Sequence, residues 1–71
     1  MREVDKAVEL LQPLFNELAE GRNVDVFAVP DAVRGDLIIV RIDNAQYEIN
    51  VTAENARSMV KSVIDRVALK L

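Results

Sequence analysis

The 71-residue chain contains no cysteine, no histidine and no tryptophan. Without cysteine or histidine there is no disulfide framework, no zinc site of the usual ligands and no catalysis by thiol or imidazole. Positive charge is in deficit. The net charge of -3 and a pI near 4.8 give no global pull toward nucleic acid, so any such contact has to be local. Long hydrophobic runs are also missing. Arg2, Glu3, Asp5, Lys6 and Glu9 interrupt the first apolar residues, so neither a secretory signal nor a membrane span is expected, and a cytoplasmic protein follows. Glycine and proline occur only twice each, and there is no repeat, linker or low-complexity segment.

What the chain does have is apolar residues, 51% of the total. At this length one domain, residues 1–71, is expected, burying roughly 60% of the surface that its unfolded chain exposes. The core must therefore be dense.

Residues 3 to 20 carry the helical period: Val4, Ala7, Val8, Leu11, Leu14, Phe15 and Leu18 recur at spacings of three and four. Pro13 removes an amide donor and crowds the carbonyl of Glu9, predicting a kink or a fresh helix start. Gly21 is placed to end the helix. Residues 24 to 30 (VDVFAVP) read as a short strand ending at a proline, and 36 to 43 (DLIIVRID) and 45 to 51 (AQYEINV) as a hairpin. Alternation puts Ile38, Val40, Ile42, Tyr47, Ile49 and Val51 on one side. Leu37, Ile39, Arg41, Gln46, Glu48 and Asn50 fall on the other. Beyond Thr52, read as an N-cap, Ala56, Met59, Val60, Val63, Ile64, Val67, Ala68 and Leu71 trace a second helical stripe. Glu54 suits the positive end of that helix.

The fold class is therefore α+β, in the order α-β-β-β-α, with a three-stranded antiparallel sheet and two helices packed on one face. Leu14, Leu18, Ile38, Val40, Ile49, Val60, Val63 and Val67 are expected in the core.

No cluster carries specific chemistry. Arg34-Gly35-Asp36 spells an adhesion tripeptide, but three residues match by chance often, and it reads as a loop glycine beside a strand start. Asp31, Asp36, Asp43 and Glu48 are scattered, with no nucleophile or partner base beside them, so no enzyme, cofactor, metal or small-molecule substrate is expected. Tyr47, alternating with Ile49, reads as core. Arg57 and Lys61, one turn apart on the second helix, could grip phosphate, although such a face is usually just solvated.

Several strings resemble the double-stranded-RNA-binding domain. The stretch 13 to 27 (PLFNELAEGRNVDVF) is similar to that family's first helix and first strand, with Asn16, Glu17 and Leu18 over its minor-groove contact. Residues 29 to 43 take the place of its loop and second strand, where Pro30 matches but Val29 and Ala32 replace the loop's glycine and histidine. At 52 to 57 (TAENAR), Thr52, Ala56 and Arg57 fit the second helix start, whereas Ala53 and Glu54 stand where the family has two phosphate-clamping lysines. The resemblance implies the fold more than the activity, because duplex recognition of this kind rests on a few cations. Divergent members of the family serve as protein-interaction modules.

Two functional readings follow. The first is a small adaptor or regulator that binds a protein partner or itself as a homodimer through the open sheet face, with Leu37, Ile39, Arg41 and Glu48 at the interface. The competing view of that face is that Arg41, Glu48 and neighbouring polar stems cover it. The second reading is a weak double-stranded RNA binder using Glu17, Arg34, Arg57 and Lys61.

Overall fold

The computed structural model describes residues 2–70. Helix α1 spans Glu3–Leu18; strands β1, β2 and β3 span Val24–Asp31, Gly35–Ile42 and Ala45–Asn50; helix α2 spans Ala56–Val67 and ends in a 3-10 turn, Ala68–Lys70. The strands form one antiparallel sheet in the order β1-β2-β3. The α+β class and the α-β-β-β-α order are those expected from the sequence. Leu71, the end of the expected second stripe, lies outside the described residues.

Register fixes which side chains share a face. Ile38 stands between Ala28 and Ile49, Val40 between Val26 and Tyr47, and Ile42 between Val24 and Ala45. This row set is apolar across all three strands. Both helices cover it: Val4, Ala7, Leu11 and Phe15 of α1 and Met59, Val63 and Val67 of α2 join Val24, Val26, Ile38, Val40, Ile42, Ile49 and Val51 in one buried cluster. The helices run parallel. At their starts the Glu3 carboxylate accepts from the Ala56 amide at 3.0 Å, and beyond their ends Arg22 donates to the Lys70 carbonyl at 3.2 Å.

Three local expectations need correction. Leu14 and Leu18 are not core residues: the buried line of α1 runs Val4, Ala7, Leu11, Phe15, and Leu14 sits ~100° round the helix from Phe15. Val60 is only half-buried, at the edge of the core. The N-cap of α2 is Asn55, whose side chain accepts from the Ser58 amide, and not Thr52. Elsewhere α1 runs through Pro13 as a single element. Pro13 and Glu9 are both exposed, so the carbonyl that loses its donor is left to water. The chain reverses at Glu20 as well as at Gly21, both with positive φ.

Thr52 is occupied elsewhere. Its hydroxyl accepts from the Asp36 amide at 3.0 Å and donates to the Arg34 carbonyl at 3.3 Å, pinning the end of the β1–β2 turn. Gly35, at φ +88, is pressed against that hydroxyl: a Cβ there would stand 2.2 Å from Thr52 Oγ1. Gly21 also has a positive φ, but nothing lies within 4 Å of its missing Cβ. Both positions disfavour alanine through φ, and only one through contact. Gly35→Ala is therefore expected to lower the urea midpoint clearly more than Gly21→Ala; equal losses would mean that the Thr52 contact is not tight.

The outer edge of β1 is partly closed by a side chain. Gln12 of α1 donates to the Val24 carbonyl at 3.1 Å and accepts from the Val26 amide at 3.0 Å, as a neighbouring strand would. Pro30, on the same edge, has no amide to leave open. Gln12→Ala is expected to cost about 1 kcal/mol and to speed hydrogen exchange at the Val26 amide. Unchanged exchange there would contradict this role.

Candidate functional site

On the helix-free face the sheet presents three rows: Asp25, Arg41, Gln46; Phe27, Ile39, Glu48; and Val29, Leu37, Asn50. The facing expected for Leu37, Ile39, Arg41 and Glu48 is the one observed. Their exposure differs sharply, however. Leu37 and Ile39 are each only 3% exposed although no helix lies over them.

The cover is made of long side chains. Arg34, in the β1–β2 turn, donates to Asp31 on β1 at 3.1 Å and to Glu48 on β3 at 3.0 Å, so its guanidinium spans the central strand at the Leu37 end. Arg41 lies over the Phe27 ring, 5.4 Å from its centroid, and also donates to Gln46. Phe27 stands beside Ile39 in the same row. A guanidinium keeps its charge in water while its stem and plane lie on apolar surface. What this face leaves to solvent in apolar area is part of Phe27 and Val29, the latter 37% exposed.

The adhesion-like tripeptide is engaged in the same framework. Arg34 is held by Asp31 and Glu48, Gly35 abuts Thr52, and Asp36 is paired with Arg2 at the start of α1.

Of the residues considered for nucleic acid, only Arg57 and Lys61 come together, exposed on the outer side of α2. Glu17 is on α1, and Arg34 is tied down on the opposite side of the sheet. Ala53 and Glu54 lie before α2 and not in its first turn; Ala53 has a φ of 66, and the Glu54 carboxylate accepts from the Ser62 hydroxyl at 3.0 Å. The start of α2 is met by an acid instead. Glu3 occupies the Ala56 amide, supplying negative charge to the positive end of the helix.

Sequence reading missed a second apolar surface. Leu10, Leu14 and Leu18 are 59%, 37% and 44% exposed, at a spacing of four that places them in one ridge along α1. A signal for it was present: two interleaved leucine and aliphatic lines run along α1, and one helix face cannot bury both. Val60 and Ile64 of α2 are half-buried at the margin of the core. A shallow cleft of about 430 Å³ also lies beside the outer edge of β3, lined by Gln46, Tyr47, Glu48, Ile49, Arg66 and Val67.

Among the described residues no polar or charged side chain is buried, and no group of three or more acidic residues is placed to hold a metal ion. No described helix is long and apolar enough to cross a membrane. No family model, curated protein or solved structure matches the chain.

Two carboxyls have displaced titrations. Asp31 is held below its ordinary value of 3.8, first by the amides of Arg34 and Val33 and then by the Arg34 guanidinium. Glu3 is held below 4.5 by the Ala56 amide and by Lys6. A carboxyl with a depressed folded pKa stabilises the fold above its unfolded value, and the contribution disappears as pH falls through the folded one. The urea midpoint is therefore expected to hold from neutrality down to about pH 5 and to fall below that. In the pair Glu3→Gln with Asp31→Asn the acid fall should be shallower; an unchanged profile would place the acid sensitivity elsewhere.

Proposed function

We propose that the chain is a small protein-interaction module, an adaptor or regulator that works by associating with another polypeptide chain, a second copy included. Its frame is a divergent relative of the double-stranded-RNA-binding domain, in a cytoplasmic setting. The observation that carries this reading is the exposed ridge Leu10, Leu14 and Leu18, a run of apolar area on a very small chain.

The open sheet face is the weaker of the two surfaces available to such a module. Docking on Leu37 and Ile39 requires Arg34, Arg41 and Glu48 to move aside, whereas Phe27 and Val29 can be reached as they stand. The ridge on α1 needs no rearrangement at all. Sedimentation equilibrium over a wide concentration range tests the reading: a mass rising above the 8.0 kDa of one chain is expected. A monomer at every concentration would remove self-association from the proposal.

One observation favours a second reading, weak binding of duplex RNA. Arg57 and Lys61 stand exposed one turn apart, with no ion pair to another described residue. Against it weigh Glu54 and Ala53 in the lysine positions, the engaged Arg34 and the acidic balance of the chain. Phosphate contacts dominate such affinity, so two free cations are too few at physiological salt. Titration of a labelled duplex of about 20 base pairs, longer than the ~16 such domains span, is expected to give no tight complex. Submicromolar binding abolished by Arg57→Glu would make the second reading the correct one.

A further inference from the structure

Resting on the interaction reading above, we propose that the helix layer is a self-docking surface whose occupant is a second copy of the chain. Its two-fold axis runs along the groove between α1 and α2, so that α1 of each copy lies across α2 of the other.

The ridge sits where such an axis has to pass. Helix α1 turns Gln12 toward the β1 edge and Glu3 toward the start of α2. At ~100° per residue, Leu14 points to the α2 side and Leu10 and Leu18 flank it. On α2 the half-buried Val60 and Ile64 lie on the side away from Arg66, which lines the cleft beside β3. The two sets border one groove. An apolar strip on a two-fold axis meets itself, which is the requirement for a self-complementary contact.

Charge selects this axis over its alternative. The exposed charges of α1 and its end are Glu3, Asp5, Glu9, Glu17 and Glu20 against Lys6, a net negative set, and those of α2 are Arg57, Lys61 and Arg66 against Asp65, a net positive one. A two-fold along the groove sets the acidic helix of one copy against the basic helix of the other. A two-fold across the groove would set acid on acid and base on base, which opposes association. Because the helices are parallel and start together at Glu3 and Ala56, Glu9, six residues along α1, stands level with Lys61, five residues along α2.

The area is adequate. A helix of 16 residues is ~24 Å long, and two helices side by side are ~20 Å wide, so the layer projects roughly 500 Å². Accessible surface exceeds projected area on a corrugated helix face, which brings the layer toward the ~800 Å² per partner of a standard interface.

The absence of cysteine makes neighbours easy to read. Each ridge residue meets its own counterpart in this arrangement, so Leu10→Cys and Leu18→Cys, each prepared alone, are expected to form covalent dimers with a short bismaleimide, and Val29→Cys on the sheet face is not. Cross-linking only in a mixture of the two ridge variants would indicate the axis across the groove and overturn the proposal. Cross-linking at Val29→Cys in place of the ridge would overturn it while leaving association intact. A monomeric mass for the unmodified chain at millimolar concentration would overturn it together with the self-association on which it rests. Should a cysteine variant fold poorly, Lys61→Glu supplies an independent check at an exposed position. It is expected to weaken the dimer about tenfold, with Glu9→Lys on the same chain restoring it; an unchanged Kd for Lys61→Glu overturns the facing of α1 on α2.

Discussion

Everything in this fold depends on keeping both faces of the central strand out of water. Strand β2 has apolar side chains at four consecutive positions, Leu37, Ile38, Ile39 and Val40, and beyond Arg41 Ile42 completes the even face. Two helices can cover only one face of a three-stranded sheet. The second face is sealed by cross-strand side chains, with Arg34 bridging Asp31 and Glu48 and Arg41 lying on Phe27. Exposed ion pairs of this kind contribute little by attraction alone. Their value here is geometric, since they hold long aliphatic stems over Leu37 and Ile39.

That solution has consequences for the turns. For Arg34 to reach across the sheet, the β1–β2 turn must be held, and Asp31, Gly35 and Thr52 hold it through a carboxylate that accepts from the Val33 and Arg34 amides, a left-handed backbone and a hydroxyl pressed against the glycine. Thr52 is thereby unavailable to cap α2, and the cap passes to Asn55 with help from Glu3. An acid from α1 at the start of α2 is structurally useful and electrostatically opposed to binding phosphate at that helix end. With Leu37 and Ile39 covered, the row of exposed leucines on α1, Leu10, Leu14 and Leu18, stands out as apolar surface open to solvent.

The hairpin facing was legible in the sequence, because strand alternation is strict and a two-residue turn preserves it. Val63 and Val67 were legible for a similar reason: α2 has one apolar stripe and no competitor. Helix α1 has two, one through Leu11 and Phe15 and one through Leu10, Leu14 and Leu18. Which of them is buried depends on where α2 and β1 sit, and this local pattern does not encode it. The cover over Leu37 was legible only in part: Arg41 and Glu48 were readable as cover by alternation, but the bridge that closes the face was not. It is made by Arg34 and Glu48, 14 residues apart and joined only once the sheet has formed. Thr52 and Asn55 are both good capping residues, and only the tertiary contact at Gly35 separates them.

The central claim is that contact with another chain is made by the helix layer while the sheet face stays shut. Backbone amide spectra of the isotope-labelled protein, followed from millimolar to low micromolar concentration, address it residue by residue. The account predicts that dilution moves resonances in residues 10–18 and 57–64 and leaves those of 37–41 in place. Shifts confined to the strands around Leu37 and Ile39 would contradict it.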